Sequence, residues 1–152
     1  MSTARTWLVA YDFSDHAKLA FDRAREQLSA LGGGRIVLVH VHAPASDGVG
    51  IDIGTIGPGF AAREDAICQE AERNLAALVA SLSPAAGGPI SYEPRVVTGR
   101  IADQIVALGH EVAAEQLVVG SHGRRGFERF LIGSVAERVL RLANGPVLIV
   151  KS

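Results

Sequence analysis

Five short strand-like runs separated by stretches of helical periodicity constrain this chain more than any other feature. Trp7-Leu8-Val9-Ala10 is apolar and stops at Tyr11-Asp12-Phe13-Ser14, which reads as a strand end and a helix start. Ala17, Ala20, Phe21, Ala24, Leu28 and Leu31 then recur at helical spacing, and Gly32-Gly33-Gly34 closes that helix. Ile36 to His42 is nearly all apolar and β-branched, the pattern of a parallel strand covered on both faces. Ile67, Ala71, Leu75, Leu78, Val79 and Leu82 mark a second helix, ended by Ser83-Pro84 and Gly87-Gly88. Ile90 to Thr98 alternates and contains Pro94, which suits an edge strand because proline has no N–H for the ladder. Ile101, Ile105, Leu108 and Val112 give a third helix and Leu117-Val118-Val119 a fourth strand. Val135, Val139, Leu142 and Ala143 give a fourth helix, stopped at Asn144-Gly145-Pro146, and Val147 to Val150 is a last strand. This alternation predicts a single domain, residues 1–152, of the α/β class, an open parallel sheet with helices on both faces.

The residues that point to chemistry follow the fourth strand. Gly120-Ser121-His122-Gly123, nine further residues, then Gly133-Ser134 lead into the fourth helix. Glycine lets the main chain approach an anion with no Cβ in the way, and the first N–H groups of a helix point at the negative charge. The expected ligand is a nucleotide. In open α/β sheets ligands sit beyond the carboxyl ends of the strands. The first strand ends at Asp12, so adjacency of the first and fourth strands would set a ribose-binding carboxylate beside a phosphate loop.

Charge and composition narrow the alternatives. Fifteen basic residues nearly cancel sixteen acidic ones, giving a formal net charge of -1. No broad field attracts nucleic acid or an anionic membrane, so any anion site is local. The lone Cys68 excludes an internal disulfide and fits a reducing compartment. No secretory signal is visible near Met1 and no apolar run approaches a membrane span, so no membrane insertion and a cytoplasmic location are expected.

The glycine spacing matches the ATP-binding signature of the universal stress protein family. Tyr11-Asp12-Phe13-Ser14, Val39-His40-Val41, Val97-Thr98-Gly99 and Gly145 to Val150 resemble that family as well, over nearly all of the chain except Ala43 to Phe60. The resemblance implies a Rossmann-like, adenine nucleotide alpha hydrolase-like fold, with five parallel strands in the order 3-2-1-4-5. It implies ATP as ligand, with Mg²⁺ or Mn²⁺ on the phosphates. Asp12 would meet the ribose, and Ala10 and the main chain of Val41 would line the adenine pocket. Gly120, His122, Gly123, Gly133, Ser134 and Val135 would surround ribose and phosphates, with Tyr11, Val119 and Arg124 completing the set. The family tends to form homodimers through the last strand, here Pro146 to Lys151, and a regulatory protein partner of unknown identity is implied. The chain departs from the family at Ala10 and Ile101, where proline is frequent, and at Ala114-Glu115-Gln116, where Gly-Ala-Asp is usual.

Structural alternatives stand beside these roles. Asp12 has the residue type to cap the first helix, and Ser134 with Glu137 has the spacing of a capping box. His40 and His42 share one strand face; two histidines are an incomplete metal site, which favours a hydrogen-bonded structural role. Arg124, Arg125 and Arg129 are placed either to reach a polyphosphate or to sit in solvent. Cys68 lies at an apolar-to-polar helix boundary and reads as inert. Ala43 to Phe60 reads as a long loop, a lid or plain surface. Functionally, a nucleotide-dependent stress-response regulator is expected, and no catalytic pair or metal cluster is visible. A slow ATPase or self-phosphorylating enzyme, with Asp12 carrying metal and Ser121 or Ser134 accepting phosphate, and an interaction module independent of nucleotide, are the two alternatives. The classical P-loop lysine, the dinucleotide glycine triplet after the first strand and the clustered aspartates of receiver domains are all absent.

Overall fold

A computed structural model describes residues 5–44, 57–82, 89–123 and 132–151. The elements in chain order are β1 (Thr6–Ala10), α1 (Asp15–Ala30), β2 (Gly34–His42), α2 (Phe60–Leu82), β3 (Ile90–Thr98), α3 (Ile101–Glu111), β4 (Gln116–Gly120), α4 (Ser134–Leu142) and β5 (Val147–Val150). All strand pairs are parallel, in the order β3-β2-β1-β4-β5. The three inner strands are the continuous apolar runs and the two outer ones are the mixed or short runs. Pro94 lies on the edge strand β3, opposite Leu38.

Period-2 alternation along the strands divides the core in two. Trp7, Val9, Ile36, Leu38 and Val118 face one side, where they meet Ala17, Ala20, Phe21, Ala24 and Leu28 of α1 and Leu75 of α2. Leu8, Val37, Val39, Leu117 and Val119 face the other, against Ala102, Ile105 and Leu108 of α3 and Ala136 and Val139 of α4. Phe21 and Leu28, 3% and 0% exposed, each contribute roughly 1.5–3 kcal/mol by leaving water. Ser14 caps α1, its Oγ accepting the Ala17 N–H at 3.2 Å. After α1 the chain turns at Gly33, φ +91°, where a Cβ would sit 1.9 Å from the Pro89 carbonyl oxygen. No other residue type fits there.

Helix α2 starts earlier than the apolar periodicity predicts. It begins at Phe60, so the expected loop from Ala43 ends in helix, and its residues 45–56 lie outside the described residues. The reason is a change of chemistry along the sheet-facing stripe. From Ala71 to Leu82 that stripe is apolar. Toward the N-terminus it is carried by Glu64, which meets the His42 ring, and by Cys68, whose Sγ lies 3.7 Å from Thr98 Oγ1. Polar side chains at helical spacing give no hydrophobic signal. Ile67, read as part of the stripe, is 40% exposed instead. No helix among the described residues is long and apolar enough to cross a membrane.

Candidate nucleotide site

β1 and β4 are neighbours, with Val9 opposite Val118, so their carboxyl ends open onto one crevice where the strand order reverses. On the β1 side the chain leaves the sheet through a tight turn. Asp12 Oδ1 accepts the Ser14 N–H at 3.0 Å, and Ser14 in turn caps α1. Phe13 between them adopts φ +65°, a left-handed conformation that costs a non-glycine residue about 1 kcal/mol or more. Asp12 is therefore not the helix cap; it shapes the turn just ahead of it.

On the β4 side the ladder continues one residue past the strand, Ser121 N–H donating to the Val150 carbonyl at 2.8 Å. The start of α4 then folds back, Gly133 N–H donating to the Ser121 carbonyl at 2.6 Å. Ser121 is 2% exposed and its Oγ lies 3.1 Å from His122 Nδ1. The His122 ring lies 5.4 Å from that of His16 on the first turn of α1, centroid to centroid.

Each glycine of the loop has its own steric reason. A Cβ at Gly120 would lie 3.1 Å from the His16 main chain, and one at Gly133 would lie 3.0 Å from the Ser121 carbonyl oxygen. A Cβ at Gly123 would lie 2.9 Å from Asp12 Oδ2. That last contact brings the two strand ends together: the carboxylate borders the main chain of the glycine loop.

The expected site residues divide by location. Ala10, Val41 and Val135 are partly buried against the α3/α4-side core, to which the buried Val119 belongs. The Val39 carbonyl accepts Tyr11 N–H on the β1 side, and the His42 carbonyl accepts Gly99 N–H on the β3 side. Main-chain groups alternate sides along a strand, so those of Val41 face the β1 side, just past the last rung at Ala10 and Val39. Tyr11 goes the other way. Its ring is buried in the α1-side core against Phe13 and Phe21. Burial, then the Asp22 and Asp12 carboxylates, raise its phenol above the usual value of 10.0. Arg124, Arg125 and Arg129 lie outside the described residues.

Helix α4 begins at Ser134, with Gly133 as its N-cap. The capping box expected from Ser134 and Glu137 does not form. Glu137 donates its own N–H to the Gly133 carbonyl and turns its carboxylate to Arg141 at 2.7 Å. Gly133 has no side chain to cap the first N–H groups of α4, the arrangement that suits an anion.

Sequence patterning foresaw a hydrogen-bonded role for His40 and His42 and did not single out their partners. His40 Nδ1 lies 2.9 Å from the Tyr11 carbonyl oxygen, and His42 meets Glu64. His16 was not singled out; one histidine on an amphipathic helix carries no signal of what packs beside it. Among the described residues, no group of three or more His, Cys, Asp or Glu side chains is placed to hold a metal ion.

An open parallel sheet wound on both faces, with an acidic turn and a glycine loop meeting at the switch point, defines a Rossmann-like α/β domain. The sequence model of the universal stress protein family matches residues 3–151, and the chain belongs to that family. It is 31% identical over 147 residues to a universal stress protein of Thermus aquaticus, covering 97% of this chain and 98% of that one. It is 34% identical to one from Mycolicibacterium smegmatis, of which it spans 45% of the length. In fold it is similar to the hypothetical protein MJ0577 of Methanocaldococcus jannaschii, with TM-score 0.81, 23% identity and 99% and 97% of the two chains covered. It is also similar to a universal stress protein solved in complex with cAMP, with TM-score 0.59, 29% identity and 99% and 98% covered. A universal stress protein from Archaeoglobus fulgidus solved in complex with dAMP gives TM-score 0.60, 27% identity and 98% of each chain covered.

Proposed function

We propose that this chain is a single universal stress protein domain that binds ATP in the crevice between β1 and β4 and acts as a nucleotide-dependent regulator in the stress response. The observation that carries the proposal is the convergence of Asp12 Oδ2 on the main chain at Gly123, 2.9 Å from where a Cβ would stand. A carboxylate accepts hydrogen bonds from ribose hydroxyls, and the uncapped start of α4 at Gly133-Ser134 offers N–H groups to phosphate. Ala10, Val119 and the main chain of Val41 line the adenine side. His122 and Val135 complete the phosphate and ribose side, Arg124 would join them as the family resemblance implies, and Tyr11 supports the turn from beneath. The cAMP and dAMP complexes of related proteins support an adenine nucleotide as the ligand class.

Mg²⁺ or Mn²⁺ would arrive with the phosphates. The ion would be held by phosphate oxygens and would neutralise their charge, while the N–H groups of the glycine loop and the α4 start would hold the phosphates themselves. Two copies would pair through Pro146 to Lys151, since β5 is an edge strand whose one neighbour among the described residues is β4. The dimer would present its nucleotide state to a regulatory protein partner in the cytoplasm. The enzymatic alternative gains nothing from Ser121. Its hydroxyl is fully buried and engaged with His122, which is a poor placement for accepting a phosphoryl group.

Freshly purified protein, denatured by heat, should release adenine nucleotide identifiable by chromatography. Calorimetry with ATP, cAMP and dAMP on emptied protein should rank ATP first. Failure to bind any of the three would sink the proposal; a preference for cAMP or dAMP would keep the site and change the ligand.

A further inference from the structure

His40 is one of three buried polar side chains among the described residues, 8% exposed near the carboxyl end of β2. Its Nδ1 lies 2.9 Å from the Tyr11 carbonyl oxygen. A carbonyl oxygen only accepts, so Nδ1 carries the proton and donates. The bond falls where the ladder between β1 and β2 runs out. Tyr11 N–H still reaches the Val39 carbonyl at 2.8 Å, and the Tyr11 carbonyl is met by an imidazole side chain. The next residue is Asp12.

The ring also supports the far side of the turn. Phe13, held at φ +65°, places its ring 5.3 Å from that of His40, and Tyr11 meets Phe13 edge-on at 5.2 Å. The Asp12 carboxylate is thus flanked on both sides in sequence by residues that His40 touches. Its Oδ1 is spent on Ser14 N–H, and its Oδ2 faces Gly123.

We propose that His40 is a positioning residue of the nucleotide site: it donates to the Tyr11 carbonyl, supports Phe13 in its strained conformation, and so aims the Asp12 carboxylate at the crevice. The inference deepens the nucleotide reading and rests on it for its functional consequence. A hydrogen bond to a main-chain carbonyl fixes the Tyr11–Asp12 peptide plane, and that plane sets the direction of the Asp12 Cβ. In the absence of the donor the buried carbonyl is unpaired, and a left-handed Phe13 loses one of the two rings that flank it.

The test uses two substitutions and two readouts. Asn places its side-chain amide nitrogen where His has Nδ1; Leu has similar bulk and no donor. His40→Leu should weaken ATP binding by calorimetry about tenfold, and His40→Asn should stay within about threefold of the parent. In an Asp12→Ala background the Leu substitution should weaken binding less than twofold, because the residue acts through Asp12. An equal loss in both backgrounds, or no loss in either, would overturn the proposal. The second readout needs no nucleotide. The Ser14 amide, bonded to Asp12 Oδ1, should exchange with deuterium about tenfold faster in His40→Leu, and the Ile105 amide in α3 should be unchanged. Unchanged exchange at Ser14 would overturn the positioning role even if ATP binding fell. Failure of the parent protein to bind ATP would strike the nucleotide reading, and the exchange result would then decide the positioning role of His40 by itself.

Discussion

Replacing Gly123 by alanine is the sharpest probe of the crevice. Among the described residues the added Cβ meets one atom within 4 Å, Asp12 Oδ2 at 2.9 Å, whereas ordinary contact begins at 3.4 Å. The difference, 3.4 − 2.9 = 0.5 Å, is the displacement the carboxylate must make. Folding should tolerate it: the site is exposed and the yielding atom is the tip of a short side chain. The melting temperature should fall by no more than about 2 °C, since a few tenths of a kcal/mol spread over a chain of this size shifts it little. Ligand binding should not tolerate it. A hydrogen bond to a charged group contributes about 1.5–3 kcal/mol, and moving the acceptor by half an ångström forfeits roughly half of that. Affinity for ATP should therefore drop about four- to twelvefold by calorimetry. Asp12→Ala should remove the steric conflict, so Gly123→Ala on that background should change affinity less than twofold. A large fall in melting temperature, or an equal affinity loss with and without Asp12, would refute the steric reasoning.

Three further outcomes follow from the fold. Gly33→Ala puts a Cβ 1.9 Å from the Pro89 carbonyl oxygen at φ +91°; denaturant unfolding should show a loss of about 3 kcal/mol or more. Ala113 holds the left-handed position after α3 at φ 51°, with Ala114 N–H donating to the Gly109 carbonyl at 2.8 Å; Ala113→Gly should add about 1 kcal/mol, read as a rise in melting temperature of roughly 3 °C. The raised Tyr11 phenol means the folded state holds that proton more tightly than the unfolded chain, so stability falls as pH rises past 10.0. Tyr11→Phe should flatten that alkaline decline in a pH series of melts, and an unchanged slope would exclude Tyr11 as its source.

Much of the fold was legible in residue order. The alternation of apolar runs and helical periodicity named the nine elements of the described residues, and Pro94 marked an edge strand, because burial pattern and proline chemistry are local properties. The first two turns of α2 were not legible. They meet the sheet through Glu64 and Cys68, whose burial depends on His42 and Thr98 on other strands. The capping box at Ser134 and Glu137 had the right spacing and did not form, because Gly133 is drawn to the Ser121 carbonyl and takes the cap position itself.

The same division holds at the crevice. Sequence by itself determined the inventory: an acidic residue after the first strand, a glycine loop after the fourth, and the strand order implied by family resemblance. Tertiary structure decided what those residues do to one another. Gly120 is small because α1 passes over it, Gly123 because Asp12 leans against it, and His40 is buried because a carbonyl at the end of a neighbouring strand needs a donor. Such facts depend on distances between segments far apart in the chain, and no local pattern of residue types encodes a distance.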